Sequence, residues 1–239
     1  MRDSFAVFRK EMRAYLVSPI PYLLAAFFAA FLAYLVFDKA YFFVLKQATL
    51  EGLFRFMPLA MVVVVPAIAM RLWSEELRGG TFETLLTFPV RTRHLVVGKW
   101  LAAWVVIGGC LLATVGLVVT AATLGDLDKG PTIGGYLGSW LMGGAFLAIG
   151  LWLSSLTSNQ IVAFILGVIV CAAFVFMEDA AAKFEAGTVA STLTNLGITS
   201  HFQAIGRGVV DLRDVAYFVS LIGFFLYLNV ETIENRRSR

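Results

Sequence analysis

Gly98-Lys99 is the nearest this chain comes to a phosphate-binding loop, and the residues around it do not complete the pattern. A P-loop has a further glycine five positions ahead of its Gly-Lys pair and a Ser or Thr directly after the lysine, to hold magnesium. Arg93 and Trp100 occupy those two positions. The chain is therefore expected neither to hydrolyse ATP nor to bind a cofactor of its own. No metal site is expected either. The histidines and cysteines are His94, His201, Cys110 and Cys171, and both cysteines lie inside apolar runs. An intramembrane hydrolase would need a nucleophile and a base at one depth. Ser139 and His201 are the one pair that can be constructed, and Gly138-Ser139-Trp140 lacks the second glycine of a nucleophile elbow. What remains is recognition of a partner, and nucleic acid is not the expected one.

The stretch suited to recognition is 71–100, polar and basic between two long apolar runs. Its cations Arg71, Arg78, Arg91, Arg93 and Lys99 argue for the cytoplasmic side. Gly79-Gly80 breaks one helix, and a short amphipathic one is expected from Thr81 until Pro89 stops it. Phe82, Leu85 and Leu86 share one face of it, with Glu83, Thr84 and Thr87 opposite. A short helix lying along the membrane surface is a docking surface for a soluble partner. The expected docking residues are Glu75, Glu76, Arg78, Gly80, Thr81, Phe82, Glu83, Leu85 and Leu86.

The elements that position this stretch are membrane spans. Of 239 residues, 59% are hydrophobic and 15% charged, where soluble domains carry about 25% charged. Mean hydropathy is +0.83. The expected fold is an all-α polytopic membrane protein, one transmembrane domain over 1–239, with spans at 20–37, 53–70, 101–124, 136–156, 160–177 and 215–230. The Trp, Tyr and Phe content suits lipid contact and interfacial anchoring. Ahead of the first span, 1–19 forms a basic amphipathic helix in the headgroup plane. Phe5, Phe8, Met12, Tyr15 and Leu16 lie on its apolar face, and Ser18-Pro19-Ile20-Pro21 turns the chain inward. The plainer reading of that helix is a basic anchor. Arg2, Arg9, Lys10, Arg13, the five loop cations, Arg236, Arg237 and Arg239 outnumber the cations at the other end, which supports both termini inside. Pro58 and Pro66 in the second span are either hinges or fixed bends. The small residues Gly134, Gly138, Ser139, Gly143, Gly150 and Ser154 of the fourth span are suited to close helix packing. Residues 178–214 are too polar to span and too apolar to be a free loop, with Glu178 and Asp179 at one end and Asp211 and Arg213 at the other.

The run from Ser74 to Pro89, followed by Val97-Gly98-Lys99, resembles the first cytoplasmic loop of ABC-2 type permeases, the membrane subunits of ATP-driven exporters. Ser18 to Tyr22, Ala148 to Ala163 and His201 to Val215 are similar to the gliding-motility-type branch of that family. The resemblance implies a coupling helix between spans two and three and short outer re-entrant or cap helices before span six. Glu178, Asp179, Asp211 and Arg213 would belong to an outer gate. It also implies an ABC ATPase dimer that carries the ATP and magnesium. A second membrane permease subunit completes the pathway, a heteromer being favoured over a homodimer, in the lipid bilayer of the inner membrane. The alternative is a non-transporting scaffold that transmits ATPase-driven motion to envelope partners. The substrate is not legible.

Overall fold

The computed structural model describes residues 2–39, 50–82, 90–125, 127–183, 187–208 and 211–237, and every regular element among them is helical. Six of its segments are long and apolar enough to cross a membrane: Ile20–Asp38, Glu51–Arg78, Thr92–Leu124, Lys129–Leu156, Gln160–Ala181 and Leu212–Arg237. The protein is a multi-pass membrane protein. The third and fourth spans begin several residues earlier than the sequence suggests, at Thr92 and Lys129.

The chain opens with α1 (Arg2–Val17), which ends where Pro19 forbids continuation. Then α2 (Ile20–Tyr34) carries Pro21 in its first turn, where the missing N–H is harmless, and runs on as a π-helical turn over Leu35–Lys39. The second span is α3 (Glu51–Ala69) followed by α4 (Arg71–Arg78), with Met70 between them. Neither proline breaks it: Pro58 and Pro66 are both buried inside α3. The third span is α5 (Thr92–Ala113) and α6 (Val115–Leu124), interrupted at Thr114. Thr114 Oγ1 turns back to the Leu111 carbonyl at 2.7 Å and meets the Tyr136 hydroxyl at 2.9 Å.

The fourth span, α7 (Lys129–Leu156), is the axis of the bundle and is buried along most of its length. Asp128 caps it, accepting from the Gly130 N–H at 3.1 Å. Its small residues do what their spacing predicts. A methyl group on Gly143 would lie 2.8 Å from Ile107, and one on Gly144 2.8 Å from the Trp104 indole nitrogen. Close approach there admits a ladder of indoles: Trp100 on Trp104 at 4.6 Å and Trp104 on Trp140 at 4.0 Å. The Trp100 N–H donates to the Gly144 carbonyl at 3.0 Å and the Trp104 N–H to the Trp140 carbonyl at 2.8 Å. Those bonds are valuable where no water can compete. The indoles thus take part in internal packing, Trp73 and Trp152 also being engaged inside the bundle.

The fifth span is α8 (Gln160–Ala181), capped by Asn159, whose side chain accepts from the Ile161 N–H at 2.9 Å. Two short helices, α9 (Thr188–Leu196) and α10 (Ile198–Gly206), follow it, and α11 (Leu212–Arg237) is the last span. Between spans five and six the described residues therefore contain short helices, as expected. At the far end of α11, Asn229 donates to the Leu151 carbonyl at 3.0 Å and Arg236 to the Leu156 carbonyl at 3.0 Å. Arg236 thereby satisfies one of the open carbonyls at the end of α7, and Asn229 ties α11 to the helix one turn earlier.

Candidate functional site

The end of the bundle that carries both termini is organised on Lys99. This residue is expected as a free loop cation; the structure corrects that, placing it one helical turn deeper than the N-terminal turn of α5 and only 2% exposed. Its ammonium lies 3.0 Å from Glu11 Oε1 on α1 and 2.8 Å from Glu76 Oε1 on α4, and 5.1 Å from the centre of the Trp73 ring. Three elements that are remote in sequence meet at one charge. An ammonium this deep is tolerable because two carboxylates and an aromatic face replace its water.

Gly98 explains how α1 reaches it. A Cβ at Gly98 would lie 2.8 Å from Val7 Cβ and 2.9 Å from the Ser4 carbonyl, so only glycine lets α1 lie directly on α5. The inward face of α1 is accordingly Ser4, Val7, Phe8, Glu11, Met12 and Tyr15, at helical spacing, while Phe5 and Leu16 are exposed. This differs from the expected apolar face, because packing on α5 selects a stripe that includes a carboxylate. Burial raises the Tyr15 hydroxyl above its ordinary pKa; Glu11 and Glu75 add to the rise and Arg71 opposes it.

The junction of α3 and α4 at Met70 is held by a residue from the fourth span. A helix that restarts leaves its first N–H groups without partners. Ser154 Oγ accepts from the N–H groups of Trp73 and Ser74 at 3.2 and 3.1 Å and donates to the Met70 carbonyl at 2.9 Å. Ser74 Oγ also donates to that carbonyl. Ser154 thus caps α4 from across the bundle, and α4 projects in a fixed direction.

The expected docking residues separate on this frame. Glu76 faces inward, in the Lys99 cluster. Glu75 is exposed and forms a bidentate pair with Arg71 at 2.9 and 3.1 Å. Arg78, Gly79, Gly80 and Thr81 are exposed, and Gly80 takes the left-handed conformation, φ 68°, that ends α4. Phe82 is expected on an outward docking face, yet it is 7% exposed and packs edge-on against Trp73 at 6.0 Å. It fastens the segment to its own subunit. Glu83, Leu85 and Leu86 lie outside the described residues. His94 sits in the first turn of α5.

At the opposite end, the four expected gate residues do not form a cluster. Glu178 and Asp179 close α8, and Asp211 caps α11, accepting from the Arg213 N–H at 2.9 Å. The tight contact there is between residues outside that set. His201 Nδ1 lies 2.7 Å from Asp214 Oδ1 and its Nε2 3.1 Å from the Asn195 carbonyl. The imidazole stacks on Tyr217 at 4.0 Å, and the Tyr217 hydroxyl donates to the Leu196 carbonyl at 2.6 Å. The helical spacing of Asp214 and Tyr217, three apart, was the available signal for a shared face. Nothing in it pointed to His201. Ser139, the other half of the conceivable hydrolase pair, is buried and donates to the Gly135 carbonyl at 2.6 Å. Among the described residues no group of His, Cys, Asp and Glu could hold a metal ion.

No curated protein matches the chain. A family model described as ABC-2 family transporter protein matches residues 5–222, which takes in α1, the Lys99 cluster, α7 and the His201–Asp214 contact. That coverage, joined to six membrane-crossing segments, places this chain in the ABC-2 transporter family as a membrane permease subunit.

Proposed function

We propose that this subunit works in an ATP-driven exporter, with the segment from α4 through Phe82 and onward as the docking surface for the ABC ATPase that the family implies. The observation that carries the reading is the Lys99 cluster. It joins α4 to α1 and α5 through buried charges, so a push delivered to α4 moves a rigid body instead of dissipating in a loop. The exposed residues Glu75, Arg78 and Thr81 present the rim of the surface, and Leu85 and Leu86 carry its apolar centre. ATP and magnesium belong to the ATPase.

In the same reading the end that carries both termini is cytoplasmic, the membrane is the inner one, and α9 and α10 cap the outer side as a gate. A second permease subunit of the gliding-motility type completes the pathway, giving a heteromer. Cysteines placed at Arg78 and Asp179, both exposed, should label from opposite sides of the membrane.

The deciding measurement is the amount of ATPase retained on immobilised permease. Leu86→Ala and Arg78→Glu should release it, while Arg91→Ala, beyond Pro89, should retain it. Lys99→Met should retain the ATPase and yet uncouple hydrolysis from substrate flux. If Leu86→Ala and Arg78→Glu both retain as much as wild type, docking belongs to another surface. Flux itself separates an exporter from a scaffold.

A further inference from the structure

Beneath the elbow between α1 and α2, helices α1 to α5 line an open cavity of about 290 Å³. Its walls are divided by chemistry. Toward α1 and α4 they carry the Lys99 cluster, the Arg71–Glu75 pair and Lys10. Away from them the walls are Leu24, Ile68 and Val106. Val106 is seven residues beyond Lys99 on α5, about 10 Å along the helix. The cavity therefore runs from a charged shelf at the level of the elbow into the apolar depth of the first spans.

The shelf carries three cations, Lys10, Arg71 and Lys99, and three carboxylates, Glu11, Glu75 and Glu76, unevenly placed. Arg71 and Glu75 satisfy each other through two bonds. Lys99 faces two carboxylates, bonding one oxygen of Glu11 and one of Glu76, so the buried cluster by itself holds one negative charge in excess, which Lys10 offsets from an exposed position. Glu76 Oε2 is buried and has no hydrogen-bond partner among the described residues. A desolvated carboxylate oxygen without a donor is costly, so the shelf favours a cation that carries N–H groups. Lys10, an exposed lining residue of the same cavity, supplies the positive charge. A ligand with an ammonium next to a phosphate, followed by an apolar part, matches the cavity from shelf to depth. The volume admits such a headgroup and no helix, which is about 10 Å across.

We propose that this cavity binds the headgroup of an aminophospholipid, its primary ammonium against Glu76 and Glu11 and its phosphate toward Lys10, with the chains leaving past Leu24 and Val106. That the lipid comes from the inner leaflet rests on the orientation proposed above; the binding does not.

The test is native mass spectrometry of the full-length chain released from nanodiscs holding equal amounts of phosphatidylethanolamine, phosphatidylcholine and phosphatidylglycerol. Phosphatidylcholine keeps the charge but has no N–H to donate. One phosphatidylethanolamine should be retained at least about tenfold over either competitor, as expected for a charged hydrogen bond. Ala67→Phe, which fills the cavity, should abolish retention. Glu76→Gln should bring the preference over phosphatidylcholine to within about twofold. Soluble phosphoethanolamine should fail to displace the lipid. Equal retention of the three lipids by wild type, undiminished retention by Ala67→Phe, or displacement by phosphoethanolamine would each overturn the proposal. No ATPase enters the measurement, so its failure would leave the exporter reading standing.

Discussion

The ammonium of Lys99 on α5 lies 3.0 Å from the carboxylate of Glu11 on α1, across 88 positions of sequence. With Glu76 it forms a buried cluster that makes the N-terminal helix part of the bundle. A helix that only floated in the headgroup plane would have no use for an inward-facing carboxylate. The cluster has consequences that can be measured.

Removing one member of a buried ion cluster leaves the others uncompensated, which typically costs about 3–5 kcal/mol. Lys99→Met should therefore lower the thermal unfolding midpoint of the detergent-solubilised chain far more than Arg91→Ala, which touches an exposed side chain. The triple variant Lys99→Met, Glu11→Gln, Glu76→Gln should recover most of the loss. A triple variant no more stable than Lys99→Met would show that the charges do not act as a unit.

Gly98 permits the α1–α5 contact, and the atoms a side chain would meet there are Val7 Cβ and a backbone carbonyl, neither of which can swing aside. Gly98→Val should displace α1 at an overpacking cost of about 1–3 kcal/mol. A cysteine at Val7 should then react with a soluble maleimide much faster than it does beside Gly98. Gly116→Val, where no atom lies close to the position a Cβ would take, is the matched control. Equal labelling rates at Val7 in all backgrounds would contradict the packing.

At the end of the bundle away from the termini, His201 is held by Asp214, by the Asn195 carbonyl and by the Tyr217 ring. Asp214→Ala leaves a half-buried imidazole without its charged partner, a loss of about 1.5–3 kcal/mol. Hydrogen exchange over Thr188–Gly206 should rise in Asp214→Ala and in His201→Ala. Asp211→Ala, which loses a cap on α11, should leave that segment's exchange rate nearly unchanged. Comparable protection in wild type and Asp214→Ala would remove the pair as the latch.

Tyr15 supplies a pH dependence. Its folded-state pKa is raised, by burial first and then by Glu11. Its stabilising effect is therefore complete below the free phenol value of about 10 and is lost as the pH climbs from there toward the folded value. Tyr15→Phe has no such proton to release. Between pH 10 and 11.5, wild type should lose stability relative to Tyr15→Phe, by up to about 1.4 kcal/mol per pH unit. Parallel stability profiles for the two proteins would mean that the hydroxyl is not buried as described.

Much of this protein was determined by its sequence alone. Apolar runs of spanning length in a chain only 15% charged can hardly be anything but membrane helices, and the order of polar and apolar stretches follows from that. The glycine spacing of the fourth span likewise announces close packing. The start of α5 at Thr92 was hidden, because Arg93, His94 and Lys99 read as loop until Lys99 is seen to have partners. Partnership is what one sequence cannot show. Lys99 is a loop cation or a buried tie according to whether Glu11 and Glu76 reach it. Phe82 faces outward or packs on its own subunit according to whether Trp73 lies beneath it. His201 becomes a latch only when Asp214 and Tyr217 rotate toward it. Hydropathy is a property of each residue and survives in the linear chain. Pairing of charges and stacking of rings depend on distance between remote residues, and only the packed bundle sets those distances.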